Sequence, residues 1–258
     1  MPERTSYDAG TPCWVELSSP DLDRSIEFYG ALLGWEVPES ENAEQTGGYR
    51  LAMKDGRPAA GMMPQMQEGQ PTAWTTYVSV DDASATAAAV TDAAGTVLAE
   101  PMDVMDLGTM AVFADPTGAV FGAWQPGSFH GAGVLREPGA VAWNELTTRD
   151  LKAAKSFYGE VFGWAFEEKE FDRGAYTIIS LEGEGFGGVT DRMPAELPNH
   201  WLVYFAVEDA DATVSEAEER GGEAAVGPFD IEEVGRIAVI KDPWGAIFAV
   251  IKPQPGEG

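Results

Sequence analysis

One cysteine and two histidines are all that 258 residues offer among the side chains most used for disulfides and transition metals. Cys13 has no internal partner, so no disulfide frames the fold. Beside Trp14 at the start of a strand pattern it reads as a small buried hydrophobe, with a reactive thiol as the alternative. Basic residues are scarce too: 16 Lys and Arg face 43 Asp and Glu, a formal charge of −27. Such a surface repels polyanions, whose binding depends on basic contacts and counterion release. Nucleic acid and membrane are therefore not expected as partners. No run approaches the ~20 apolar residues of a membrane span, and the start, MPERTSYDAG, lacks the apolar stretch of a secretion signal. The expectation is a cytoplasmic protein, monomer or homodimer, whose partner is a small-molecule ligand. Glycine tracts at Gly47–Gly48, Gly183–Gly188 and Gly221–Gly222 look like turns, and none forms a strand-to-helix phosphate cradle.

What is present is a repeat. CWVELSSPDLDRSIEFYGALLGW aligns with AWNELTTRDLKAAKSFYGEVFGW, pairing Trp14 with Trp143, Glu16 with Glu145 and Tyr29 with Tyr158 at a spacing of 129 residues. Farther on, PTAWTTYVSVDDA meets PNHWLVYFAVEDA, and GTMAVFADPTGAVFGAWQP meets GRIAVIKDPWGAIFAVIKP at a spacing of 127. Two homologous domains follow, at 8–128 and 138–254, joined by a Gly-rich linker at 129–137. WVELS alternates as a strand does, and Asp21 can cap a helix whose Leu22, Ile26, Tyr29 and Leu33 recur at helical spacing until Gly34. Each half reads as two β-α-β-β-β units, an α+β class with four such modules. The Phe-Tyr pairs in the repeated helices read as core residues that close the outer face of their own sheets.

The phrase D-L-x-x-S-x-x-F-Y-x-x-x-L-G-W at Asp21–Trp35, its copy at Asp150–Trp164, and the D-P-x-G turns at Asp115 and Asp242 resemble the vicinal-oxygen-chelate superfamily. That group includes glyoxalase I, extradiol dioxygenases and bleomycin-binding proteins. The resemblance runs nearly end to end and implies two tandem domains with curled sheets. It also implies a divalent metal held by His, Gln or Glu, and its ligand positions can be located here. They fall on Trp14 and Trp143, on Thr75 and Leu202, on Gly122 and Ala249, and near Met62–Met63 and Gly188–Val189. None of these is a usual ligand, and indole nitrogen only donates. His130 lies in the linker and His200 at a strand entrance. No metal and no other cofactor is therefore expected.

Strand alternation turns Trp14 and Glu16, and likewise Trp143 and Glu145, toward the cleft. A carboxyl group beside apolar surface can have its pKa raised into the range of general acid and base work; the plainer alternative is a structural hydrogen bond. Tyr77 and Tyr204 share the cleft-facing parity as candidate proton donors. Gly122 leaves room at a vacated ligand position, Trp124 lies two residues beyond it, and Met62 offers an adaptable thioether wall. With Thr75, Ser79 and Gly122 where the second half has Leu202, Ala206 and Ala249, the first cleft reads as the roomier and more polar.

Two functions fit. One is a metal-independent enzyme of hydroxylase, isomerase or lyase type, acting on a carbonyl-bearing or aromatic metabolite through Glu16 or Glu145 with Tyr77 or Tyr204. The other is a binding protein that sequesters a drug or metabolite, as bleomycin-resistance proteins do, between Trp14, Trp143 and Trp124. A degenerate scaffold for a protein partner is the third reading.

Overall fold

Asp21 and Asp150 cap the two copies of the aromatic helix, their carboxylates accepting from the backbone N–H groups of Arg24 and Ala153. Each copy ends on a left-handed glycine, Gly34 at φ 67° and Gly163 at φ 71°, a conformation that costs glycine nothing sterically. The computed structural model describes residues 4–39, 46–67, 69–171, 174–192 and 197–254. The first unit holds β1 (Pro12–Ser19), α1 (Leu22–Leu33), β2 (Arg50–Lys54) and β3 (Arg57–Pro64). The second holds β4 (Ala73–Ser79), α2 (Ala83–Asp92), β5 (Thr96–Val104), β6 (Gly108–Ala114) and β7 (Val120–Pro126). The third follows with β8 (Val141–Thr147), α3 (Leu151–Phe162), β9 (Ala165–Phe171), β10 (Gly174–Leu181) and β11 (Glu184–Thr190). The fourth is β12 (His200–Ala206), α4 (Ala210–Glu219), β13 (Glu223–Ile231), β14 (Gly235–Lys241) and β15 (Ile247–Pro253). Where the third unit has β9, the described residues of the first show an isolated bridge between Glu36 and Met53.

Each half builds one curled sheet. The first has the order β2-β3-β1-β4-β7-β6-β5, and the second β13-β14-β15-β12-β8-β11-β10-β9. In the first, β1 and β4 pair antiparallel at the centre, while β1–β3 and β4–β7 are parallel. The second repeats this with β8–β12, β8–β11 and β12–β15. Alternation splits each strand between two faces: Val15 and Leu17 enter the core, whereas Trp14 joins Tyr77 and Trp124 in a separate aromatic cluster on the concave side.

The cores are not private to the halves. Helix α1 brings Phe28, Tyr29 and Leu33 into a cluster that contains Phe205, Ile240 and Phe248 of the second sheet. Helix α3 does the reverse, placing Phe157 and Tyr158 with Phe113 and Phe121 of the first. The expectation that these helices cover only their own sheets is thus corrected: each is packed between the backs of both. Hydrogen bonds pin the exchange. Tyr29 donates to Asp242 of the other half at 3.0 Å while accepting from Trp74 at 3.1 Å, and Tyr158 accepts from Trp201 at 2.9 Å and faces Asp115. The Gly-Trp endings also cross over: Trp35 donates to the Gly139 carbonyl and Trp164 to that of Gly10, both at 2.6 Å. Thr76 and Asn144 meet at 3.1 Å between the sheets. Among the described residues no helix is long and apolar enough to cross a membrane.

Candidate active site

On the concave side of the first sheet, register fixes the neighbours of Glu16. Gly61 lies beside it on β3 and Thr75 on β4, with Tyr77 opposite Trp14. The Tyr77 hydroxyl donates to Glu16 Oε1 at 3.2 Å. Tyr49, just before β2, donates to the same carboxyl group, and its own oxygen accepts from Trp14 Nε1 at 2.9 Å. Because that indole occupies the phenol as an acceptor, the phenolic proton is directed to the glutamate.

The second sheet repeats the arrangement. Tyr176 donates to Glu145 Oε2 at 2.9 Å, Tyr204 to Oε1 at 3.1 Å, and Trp143 Nε1 to the Tyr176 oxygen at 3.0 Å. Each cleft therefore holds one carboxyl group between two phenols, with an indole fixing one of them. Two glycines make space for this. A Cβ on Gly61 would overlap the Tyr49 hydroxyl, and a Cβ on Gly188 would overlap that of Tyr176.

Burial pushes the Glu16 carboxyl up to about 7, outweighing the two tyrosine hydrogen bonds that favour its ionised form. Glu145 is raised for the same reason and opposed by its own two tyrosines, and also by the charge of Arg192, which has no counterpart beside Glu16. Tyr49, Tyr77, Tyr176 and Tyr204 are all held well above the usual phenol range, by burial first and then by the adjoining carboxyl. These phenols stay protonated and act as donors; the glutamate is the group in each cleft that can exchange a proton, near neutrality at Glu16.

The structure brings Trp14, Glu16 and Tyr77 together in one cleft, and Trp143, Glu145 and Tyr204 in the other. Tyr49 and Tyr176 were missed by residue reasoning, although they sit 127 residues apart, the spacing of the second repeated block, Tyr49 just before β2 and Tyr176 early in β10. Met62 needs correction as a wall of the site. It pairs with Leu17, which faces the core, and lies with it in the core cluster at 0% exposure; Gly61 and Met63 take the concave parity. The space expected at Gly122 is filled, because the Tyr77 ring lies directly over that glycine and a Cβ there would collide with it. Trp124 is on the concave side, but buried, donating to the Phe129 carbonyl at 2.8 Å. Cys13 is buried with its thiol directed to the Tyr77 carbonyl. His200 contacts the Pro198 carbonyl at 2.8 Å, and desolvation lowers its pKa.

The donor set does not fit a divalent metal. Among the described residues no three His, Cys, Asp or Glu side chains come together. Among the described residues each cleft presents one carboxyl group, already bonded by two phenols, amid indole and aliphatic side chains that supply no further ligand.

The model of the Glyoxalase/Bleomycin resistance protein/Dioxygenase superfamily matches residues 13–122 and again 140–250. "Putative glyoxylase CFP32" of Mycobacterium tuberculosis (strain CDC 1551 / Oshkosh) is 39% identical over 259 residues, covering 99% of each chain. "Anthracycline biosynthesis protein DnrV" of Streptomyces peucetius is 36% identical over 267 residues, covering 98% of this chain and 96% of the relative. Among solved structures, the 2,3-dioxygenase LapB from Pseudomonas sp. KL28 superposes with a TM-score of 0.65 at 13% identity, covering 98% of this chain and 97% of its own. The Mn(II)-bound glyoxalase from Novosphingobium aromaticivorans gives 0.63 at 15% identity, covering 95% and 82%. At such identities the likeness is one of fold.

Proposed function

The chain belongs to the glyoxalase/bleomycin resistance protein/dioxygenase superfamily, and from that premise we propose that it is a small-molecule enzyme working by carboxyl and phenol proton transfer without the family's metal. The observation that supports this reading is the twice-built unit of a glutamate between two tyrosines, with its carboxyl raised by burial in both halves.

In this reading the Tyr204 or Tyr77 hydroxyl gives up its bond to the glutamate and turns its one proton to the substrate carbonyl oxygen, leaving the second tyrosine on the carboxylate. The glutamate carboxylate removes a proton from the carbon beside that carbonyl, and the electron pair moves into an enolate whose oxygen the phenol stabilises. Return of the proton to another carbon gives isomerisation; departure of a leaving group from the next carbon gives elimination. Of the reaction types expected from sequence, isomerase and lyase chemistry need only what this unit supplies. A relative that serves anthracycline biosynthesis and one described as a glyoxylase support a carbonyl-bearing organic substrate, aromatic in the first case.

A metabolite library incubated with the protein, with and without chelator, and read by mass spectrometry tests the proposal. The expected result is turnover that survives chelator and is lost in Glu145→Gln or Glu16→Gln with binding retained. Tight binding with every ligand recovered unchanged favours sequestration instead, and chelator-sensitive turnover defeats the metal-free reading.

A further inference from the structure

Phe129, in the segment joining the halves, stands in the first cleft where a guest molecule would stand. Its ring meets Trp14 edge-on, with centroids 4.9 Å apart and planes at 86°, and meets Trp124 at 6.0 Å and 75°. The backbone holds it there through the bond from Trp124 Nε1 to its carbonyl. Under this ring Trp14 keeps only 6% of its surface exposed.

Carried through the repeat, Trp14 becomes Trp143, Tyr77 becomes Tyr204 and Trp124 becomes Ile251. The second cleft thus retains the indole wall and the phenol, while aliphatic Ile251 replaces the indole that anchors Phe129 in the first. Trp143 is only partly buried, and apolar Phe229 and Ile231 join it in the same cluster. An indole whose twin is satisfied edge-on by an aromatic ring offers the same favourable quadrupolar contact to a ring brought from outside.

We infer that the second cleft is the ligand site, that it takes an aromatic ring edge-on against Trp143, and that the first cleft is closed by its own Phe129. The ligand is neutral or cationic, since a glutamate lies in the cleft and the chain carries a formal charge of −27. This rests on the reading of the clefts as small-molecule sites, and it names the ligand class for one of them.

The probe is 2-naphthol, a neutral planar phenol, with cyclohexanol as the non-aromatic control, titrated calorimetrically into the full chain. One naphthol site per chain is expected, with no cyclohexanol site, weakened at least tenfold by Trp143→Ala. Phe129→Ala is expected to raise the count to two. Magnetisation transfer from naphthol protons to Trp143 and Tyr204 in the unsubstituted chain locates the site without relying on any variant's folding. Transfer to Trp14 instead, a single site unchanged by Phe129→Ala, or no naphthol site at all overturns the inference. The mechanism fails separately: if Glu145→Gln still turns substrate over while naphthol binds against Trp143, proton transfer is wrong and the aromatic site stands. If Glu145→Gln abolishes turnover but no ring binds at Trp143, the reverse holds.

Discussion

The two clefts share a chemical unit and differ in what surrounds it. In the first, Tyr77 lies over Gly122, Phe129 covers Trp14, and no cation opposes the rise of the Glu16 carboxyl to about 7. In the second, Ala249 carries a Cβ opposite Tyr204 where the first cleft has Gly122 opposite Tyr77, so the Tyr204 ring cannot take the same position. There Trp143 remains partly open, and Arg192 contributes charge near Glu145. Duplication alone would copy both the hydrogen-bond unit and its surroundings. That the hydrogen-bond unit survived in both halves while the coverings diverged teaches that the unit is compatible with an open and a filled cleft. Its presence therefore does not distinguish the halves, and the cover does.

The largest effect that separates the clefts is on turnover. Glu145→Gln is expected to lower kcat by about 10²- to 10⁴-fold, the usual contribution of a positioned acid or base, whereas Glu16→Gln changes it less than about threefold. Steady-state rates of the two variants check this, and equal losses would mean that both clefts work. Gly188→Ala comes next: its Cβ displaces the Tyr176 hydroxyl, and misplacing a positioning group by about 1 Å can cost on the order of 10²-fold. The expected loss in kcat, with the melting temperature little changed, is about that size, while Gly61→Ala leaves turnover near the starting value.

Stability gives smaller and more symmetric effects. Tyr29→Phe removes a hydroxyl that joins Trp74 to Asp242 across the halves, which should cost about 1–3 kcal/mol by urea unfolding, as for other buried groups deprived of a partner. The unfolding transition should stay single, because each core contains side chains from both halves.

A further effect on stability depends on pH. With its folded pKa above the ordinary value of 4.5, Glu16 favours the fold most at low pH, and that contribution is lost as pH rises from 4.5 through about 7. Replacing it by a permanently neutral Gln removes the loss. The melting temperature of Glu16→Gln should thus match the parent near pH 4 and exceed it increasingly up to about pH 8. A constant difference across that range contradicts a raised carboxyl.

Much of this was legible before any coordinates. The repeat, the Asp caps, the left-handed glycines and the period-2 placement of Trp14 with Glu16 are local signals, and local geometry enforces them. Three features were not. The face of Met62 depends on parallel pairing with Leu17, and a one-residue change of parity moves a side chain from cleft to core. Tyr49 and Tyr176 lie outside the conspicuous repeated phrases, and their role exists only once Gly61 and Gly188 are folded beneath them. The exchange of α1 and α3 between halves is invisible in periodicity, because an apolar stripe specifies burial without naming the sheet that buries it.

The most direct test of a proton-exchanging glutamate in each cleft needs no substrate. Titrating the side-chain carboxyl carbons of 13C-glutamate-labelled protein by NMR, from pH 3 to pH 9, should reveal a carboxyl with its midpoint near 7 that disappears in Glu16→Gln, and a second raised one that disappears in Glu145→Gln. If every glutamate in the parent titrates in the ordinary range, and neither substitution removes a raised signal, the tyrosine-bracketed carboxyls are structural hydrogen-bond acceptors and the proposed chemistry is wrong.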